Sequence, residues 1–140
     1  MLKRFTTHTL MALAEASLIA LMVVGLIAGS AFAGRGGGSL SWRMVTDADT
    51  NGALTHGDTI TFDLSTSASK PYVNVRCYQG TAFVYDGWVG YYAGAWFARD
   101  FTLVSDAWTT GSADCLARLV TYGKNGREQT QAKQEFVVGG

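Results

Sequence analysis

The sequence predicts an all-β protein, an antiparallel sandwich of about seven short strands. Three observations predict it. Past Ser39 the apolar residues recur with a period of two. Clusters of Gly, Asn and Asp interrupt those runs at short intervals. Beyond the N-terminal apolar segment no helical period appears.

The chain begins with an address. Lys3 and Arg4 make a positive start, and Ala16 to Gly34 carries no charge. Ala31 and Ala33 are the small residues at −3 and −1 of a cut between Ala33 and Gly34, which predicts a secretory signal peptide over residues 1–33. The alternative is an uncleaved anchor, because the uncharged stretch is just long enough to span a bilayer. Both readings carry the rest of the chain out of the cytoplasm, so the expected location is secreted or at the extracytoplasmic cell surface. The membrane would be a partner only through this segment, if it stays uncleaved. Residues 34–39 follow as a Gly-rich linker, leaving residues 40–140 for the domain.

Strands come next. Leu40, Trp42 and Met44 alternate with Ser41 and Arg43, and Ile60, Phe62 and Leu64 alternate with Thr61 and Asp63. Val73, Val75 and Cys77 alternate with Asn74 and Arg76; Cys115, Ala117, Leu119 and Thr121 alternate with Leu116, Arg118 and Val120; Phe136 and Val138 flank Val137. Alternation places one set on each face of a half-buried antiparallel strand. Thr81–Asp86 and Phe97–Val104 are apolar and β-prone without clean alternation. Turns are expected at Asp49–Gly52, Gln79-Gly80, Asp86-Gly87, Ala93-Gly94 and Lys124–Gly126. Seven strands in about a hundred residues have the rhythm of an immunoglobulin-like sandwich.

Cys77 and Cys115 both fall on the inward set of their strands. An even pair in a small exported domain predicts a disulfide. Past Ala33 there are nine basic and ten acidic residues. That balance excludes an electrostatic nucleic-acid binder.

Asp47 to Phe62 (Asp-Ala-Asp-Thr-Asn-Gly-Ala-Leu-Thr-His-Gly-Asp-Thr-Ile-Thr-Phe), with Val75-Arg-Cys-Tyr-Gln79, Val84-Tyr85 and Ala113-Asp-Cys115, resembles small exported bacterial immunoglobulin-like β-sandwich proteins of unassigned function. The resemblance spans roughly Leu40 to Val138 and implies an immunoglobulin-like sandwich. It departs from the antibody pattern. The Ile60–Phe62 strand has no Cys, and Ala113 stands where a tyrosine corner would place Tyr. The expected pair then joins neighbouring strands of one sheet.

One motif carries chemistry. Asp47, Asp49, Asn51 and Asp58, with Gly52 at the sharp turn and Thr55 between, match the spacing of a twelve-residue calcium loop. A calcium ion is thus the one cofactor considered, against the reading of a solvated turn rich in Asp and Asn. A second lead is the Gly-interrupted aromatic run containing Tyr85, Trp88, Tyr91, Tyr92 and Trp96, whose rings would stack on a sugar or a protein if exposed in a row. His56 is the one histidine past the leader, no phosphate-cradling loop is present, and no carboxylate pair stands out. No enzyme is therefore expected. The expected function is a binding or structural module whose partner is an extracellular protein or a glycan. Alternatives are a carbohydrate-binding module and a subunit of a surface assembly that completes an unpaired strand edge.

Overall fold

The structure is a computed structural model that describes residues 31–33, 37–95 and 98–140. Apart from Ala31–Ala33, the expected signal peptide lies outside the described residues, as does Gly34–Gly36 of the expected linker. The described residues form strands and turns without a helix: β1 (Ala31–Ala33), β2 (Ser39–Thr46), β3 (Thr59–Ser65), β4 (Tyr72–Gln79), β5 (Ala82–Gly90), β6 (Asp100–Thr102), β7 (Ala113–Tyr122) and β8 (Glu128–Val138).

Two antiparallel sheets face each other. The smaller runs β2-β3-β6 and the larger β8-β7-β4-β5, with the three-residue β1 laid along the outer edge of β8. The residues that alternate in the sequence fill the space between them. Leu40, Ile60 and Phe62 come from the small sheet; Val73, Val75, Leu119, Phe136 and Val138 come from the large one. The β6 residue Phe101 meets Phe62 edge-on at 5.5 Å, and Phe62 meets Phe136 at 6.5 Å. One aromatic seam therefore joins both sheets.

Cys77 and Cys115 are direct partners in the β4–β7 register, with Cα atoms 4.1 Å apart, and they form a disulfide. The bridge is buried and lies within one sheet. It fits an oxidising compartment outside the cytoplasm.

Three expectations are corrected. Gly38, assigned to the linker, is buried, and Ser39 already starts β2. Of the run Phe97–Val104, whose described part is residues 98–104, only Asp100–Thr102 pairs as a strand among the described residues. And Asp86-Gly87 is no turn but the middle of β5, with Gly87 opposite Val75. The glycine serves a close approach instead: a Cβ there would lie 2.8 Å from Phe101 Cδ1. Gly87→Ala is expected to destabilise the domain by about 1–3 kcal/mol in urea unfolding, because Phe101 is packed on all sides and must shift.

Candidate functional site

The β2–β3 loop is shaped by its own carboxylates. Asp47 Oδ2 accepts the Gly52 N–H at 2.7 Å, and Oδ1 accepts the Asn51 N–H at 3.2 Å. These bonds turn the chain through positive φ at Thr50 and Gly52. The Gly52 N–H above all holds the Asp47 carboxyl below its ordinary value. Asn51 donates its amide N–H to Asp49 Oδ2 at 2.6 Å and accepts the Ala53 N–H on its own oxygen. Asp58 closes the loop from beneath. It is fully buried, and its two oxygens accept the Ala48 and Thr55 N–H groups, each at 2.7 Å.

Carboxylate oxygens of Asp47, Asp49 and Asp58 thereby come within 4.8 Å of one another. The Thr55 hydroxyl stands 3.2 Å from Oδ2 of both Asp49 and Asp58. A single hydroxyl proton serves one of those oxygens at a time. The ion pairs among the described residues join Arg43 to Asp63, Arg76 to Asp86 and Arg118 to Glu128, so none reaches this loop. Asp47, Asp49, Asn51, Thr55 and Asp58 are the side chains that could hold a hard cation, since all offer oxygens. The loop is flanked by strands, unlike a helix–loop–helix hand.

The four aromatic candidates among the described residues do not share a surface. Tyr91 is buried, and its hydroxyl accepts the Phe62 N–H at 3.1 Å and donates to the Arg99 carbonyl at 2.7 Å. Tyr85 packs inward, edge-on to Trp108 at 6.5 Å. Trp88 points to the opposite face and is 39 % exposed. Tyr92 leans edge-on against Tyr72, their hydroxyls 3.0 Å apart. Trp96 lies outside the described residues. The expected row is corrected for a simple reason. Alternation along β5 sends Tyr85 and Trp88 to different faces, and Tyr91 turns its ring in to pin β3 to the Arg99 segment.

Tyr91→Phe leaves the buried Phe62 N–H without that acceptor. It is expected to cost about 1–3 kcal/mol, read by urea unfolding. Tyr85 carries a different signature. Burial first, and the Asp86 charge second, push its hydroxyl up to about 12. An unfolded tyrosine ionises near pH 10. Stability is therefore full below that pH and falls as pH rises towards the folded value. Tyr85→Phe is expected to flatten the fall in melting temperature between about pH 10 and about pH 12.

Two polar features have no signal in the sequence. A groove of about 550 Å³ on the small sheet is lined by Arg43, Asp63, Arg99 and Asp100 with Tyr91 at its floor. On the outer face of the large sheet Arg118 links Glu128 at 2.8 Å to Asn74 at 2.7 Å, and Asn74 links on to Asp86 at 2.7 Å. Both join residues distant in sequence. His56 is also engaged, its ring 5.1 Å from that of Trp108. Comparison of the chain with family models, with curated proteins and with solved structures gives no match.

Proposed function

We propose that the chain is an exported, non-catalytic module with an immunoglobulin-like sandwich, acting through binding or structural contact at the cell surface or in the medium. The strand order β2-β3-β6 against β8-β7-β4-β5 supports that form, because the chain crosses between sheets at β3–β4, β5–β6 and β6–β7, as in Greek-key sandwiches.

The observation that carries the functional reading is the outer face of the large sheet. Register sets Phe83, Tyr78, Asp114 and Val137 in one row across it, and Trp88, Asn74 and Arg118 in another. Phe83 is 50 % and Val137 59 % exposed. Clustered apolar side chains of this kind mark contact surfaces. Further along the same face the Glu128–Arg118–Asn74–Asp86 chain of hydrogen bonds ties four strands together. A protein partner suits it better than a glycan. Tyr78 is tilted 44° to Phe83, and Tyr72 stands at 76° to Tyr122, so the rings make no flat stacking row.

Export is tested by the intact mass of chain recovered outside the cytoplasm. The expected species begins at Gly34 and is two hydrogens lighter than the reduced chain. A mass retaining residues 1–33 overturns the cleaved reading. A glycan panel tests the surface: no retention is expected, and retention abolished by Trp88→Ala would favour the carbohydrate-binding alternative.

The acidic loop supports a second element of the proposal, a calcium ion that relieves the repulsion among Asp47, Asp49 and Asp58. Millimolar calcium is then expected to raise the melting temperature, and EDTA to reverse it. Asp49→Asn is expected to weaken the response, because it removes an exposed ligand charge without disturbing the Asp58 bonds. An unmoved melting temperature would refute the ion.

A further inference from the structure

The outer edge of β8 is occupied in an unusual way. The strand that covers it, Ala31–Ala33, is the end of the expected leader, pairing with Gln134, Lys133 and Ala132 in antiparallel register. Cleavage after Ala33 removes β1 and leaves β8 as an eleven-residue open edge. Open edges recruit strands. The short β1 shows that an antiparallel strand fits in this position beside the small sheet.

The side chains of β8 indicate which strand suits it. Lys133 stands directly across from Arg118 on β7, a like-charge pairing, and Glu135 stands across from the apolar Leu116. Like charges set opposite each other are unfavourable. Neither Lys133 nor Glu135 makes an ion pair among the described residues. Now consider β8 against β8 of a second copy, antiparallel about a two-fold axis. Centred on Gln134, the register sets each Lys133 opposite Glu135 of the partner subunit. It also sets each small Ala132 opposite Phe136 of the partner subunit on the inward side, where both residues are buried. Centring on Lys133 or Glu135 instead places two like charges at the axis. One register out of these three is complementary.

We propose that β8 is a self-association edge, closed in the precursor by Ala31–Ala33 and opened by leader cleavage to a second copy of this chain through the Gln134-centred register. The inference rests on the export reading, since β1 must leave, and it gives the structural-contact role a specific form. Both the covered and the open state use the same backbone groups, so the two are mutually exclusive.

The test uses exported protein whose intact mass shows Gly34 first. Analytical ultracentrifugation is expected to show a dimer. Lys133→Glu and Glu135→Lys singly place two like-charge pairs across the axis and are expected to weaken the dimer about tenfold each. The double reversal K133E/E135K is expected to restore it. A synthetic Gly-Ser-Ala-Phe-Ala peptide, the leader's last five residues, is expected to compete and return monomer. A monomeric Gly34 species overturns the proposal, as does a double reversal no better than the singles. If the recovered mass instead retains Ala31–Ala33, the cleaved reading fails by itself. The edge proposal then predicts a monomer that Phe32→Pro shifts to dimer, by removing a β1 backbone donor, and a retained-leader chain still monomeric with Phe32→Pro refutes it.

Discussion

Replacing both Cys77 and Cys115 by Ala is expected to lower unfolding free energy by at least about 4 kcal/mol. The bridge closes a loop of 38 residues, and the chain-entropy model gives a value of that size for such a loop. The domain's whole stability should lie at about 5–15 kcal/mol, so the loss is a large share. For a domain of about a hundred residues it corresponds to a fall of roughly 15–30 °C in melting temperature. The effect acts mostly on the unfolded chain, since the bridge ties two strands that already pair within one sheet. Two measurements separate the contributions. Urea unfolding of the reduced wild-type chain reports loss of the cross-link alone. The double-Ala variant adds the loss of two buried sulfur atoms, and should therefore be less stable than the reduced chain. Equal stability of oxidised and reduced protein would show that the bridge contributes nothing.

The disulfide was legible in the sequence because of parity. Cys77 and Cys115 each occupy the inward set of a cleanly alternating strand, and a strand buried on one face fixes which residues point in. The same parity located Ile60, Phe62, Val73 and Leu119 in the core. It failed along β5. There the pairing jumps from Cys77–Tyr85 to Tyr78–Phe83, so Val84 is an extra residue in a bulge. Val84 and Tyr85 then both pack inward next to an exposed Phe83, and no period of two survives. Asp86-Gly87 misleads for a related reason: the dipeptide is a turn signal, but here the absent side chain makes room for the Phe101 ring. The acidic loop could be read because Asp47, Asp49, Asn51 and Asp58 are neighbours in the chain, and local spacing decides whether their oxygens converge. The Tyr91 junction and the Glu128–Arg118–Asn74–Asp86 network could not. The first brings together residues from three separate segments and the second from four strands, and a linear sequence holds no periodic trace of such a meeting.

Because the disulfide stays inside one sheet, it does not hold the two sheets together, and that task falls to packing. Phe62→Ala is accordingly expected to cost about 3–5 kcal/mol, the range for emptying a buried aromatic site. Phe62 is the residue at which the seam crosses from the small sheet to the large one. Its ring contacts Phe101 on its own sheet and Phe136 on the other, and its backbone N–H is held by the Tyr91 hydroxyl. Neither neighbour can readily close the gap: Phe101 is wedged over Gly87, and Phe136 is fixed in register opposite the bridged Cys115. Phe62→Leu keeps most of the volume and should cost no more than about 1.5 kcal/mol. The m-value in urea should stay near that of the wild type, since the same surface is exposed on unfolding. The bridge and the ring act on different states, the unfolded chain and the folded core. Reduction combined with Phe62→Leu should therefore give the sum of the separate losses to within about 0.5 kcal/mol. A marked excess would mean that the bridge also positions Phe136 against Phe62, and that its stabilisation is partly a property of the folded core.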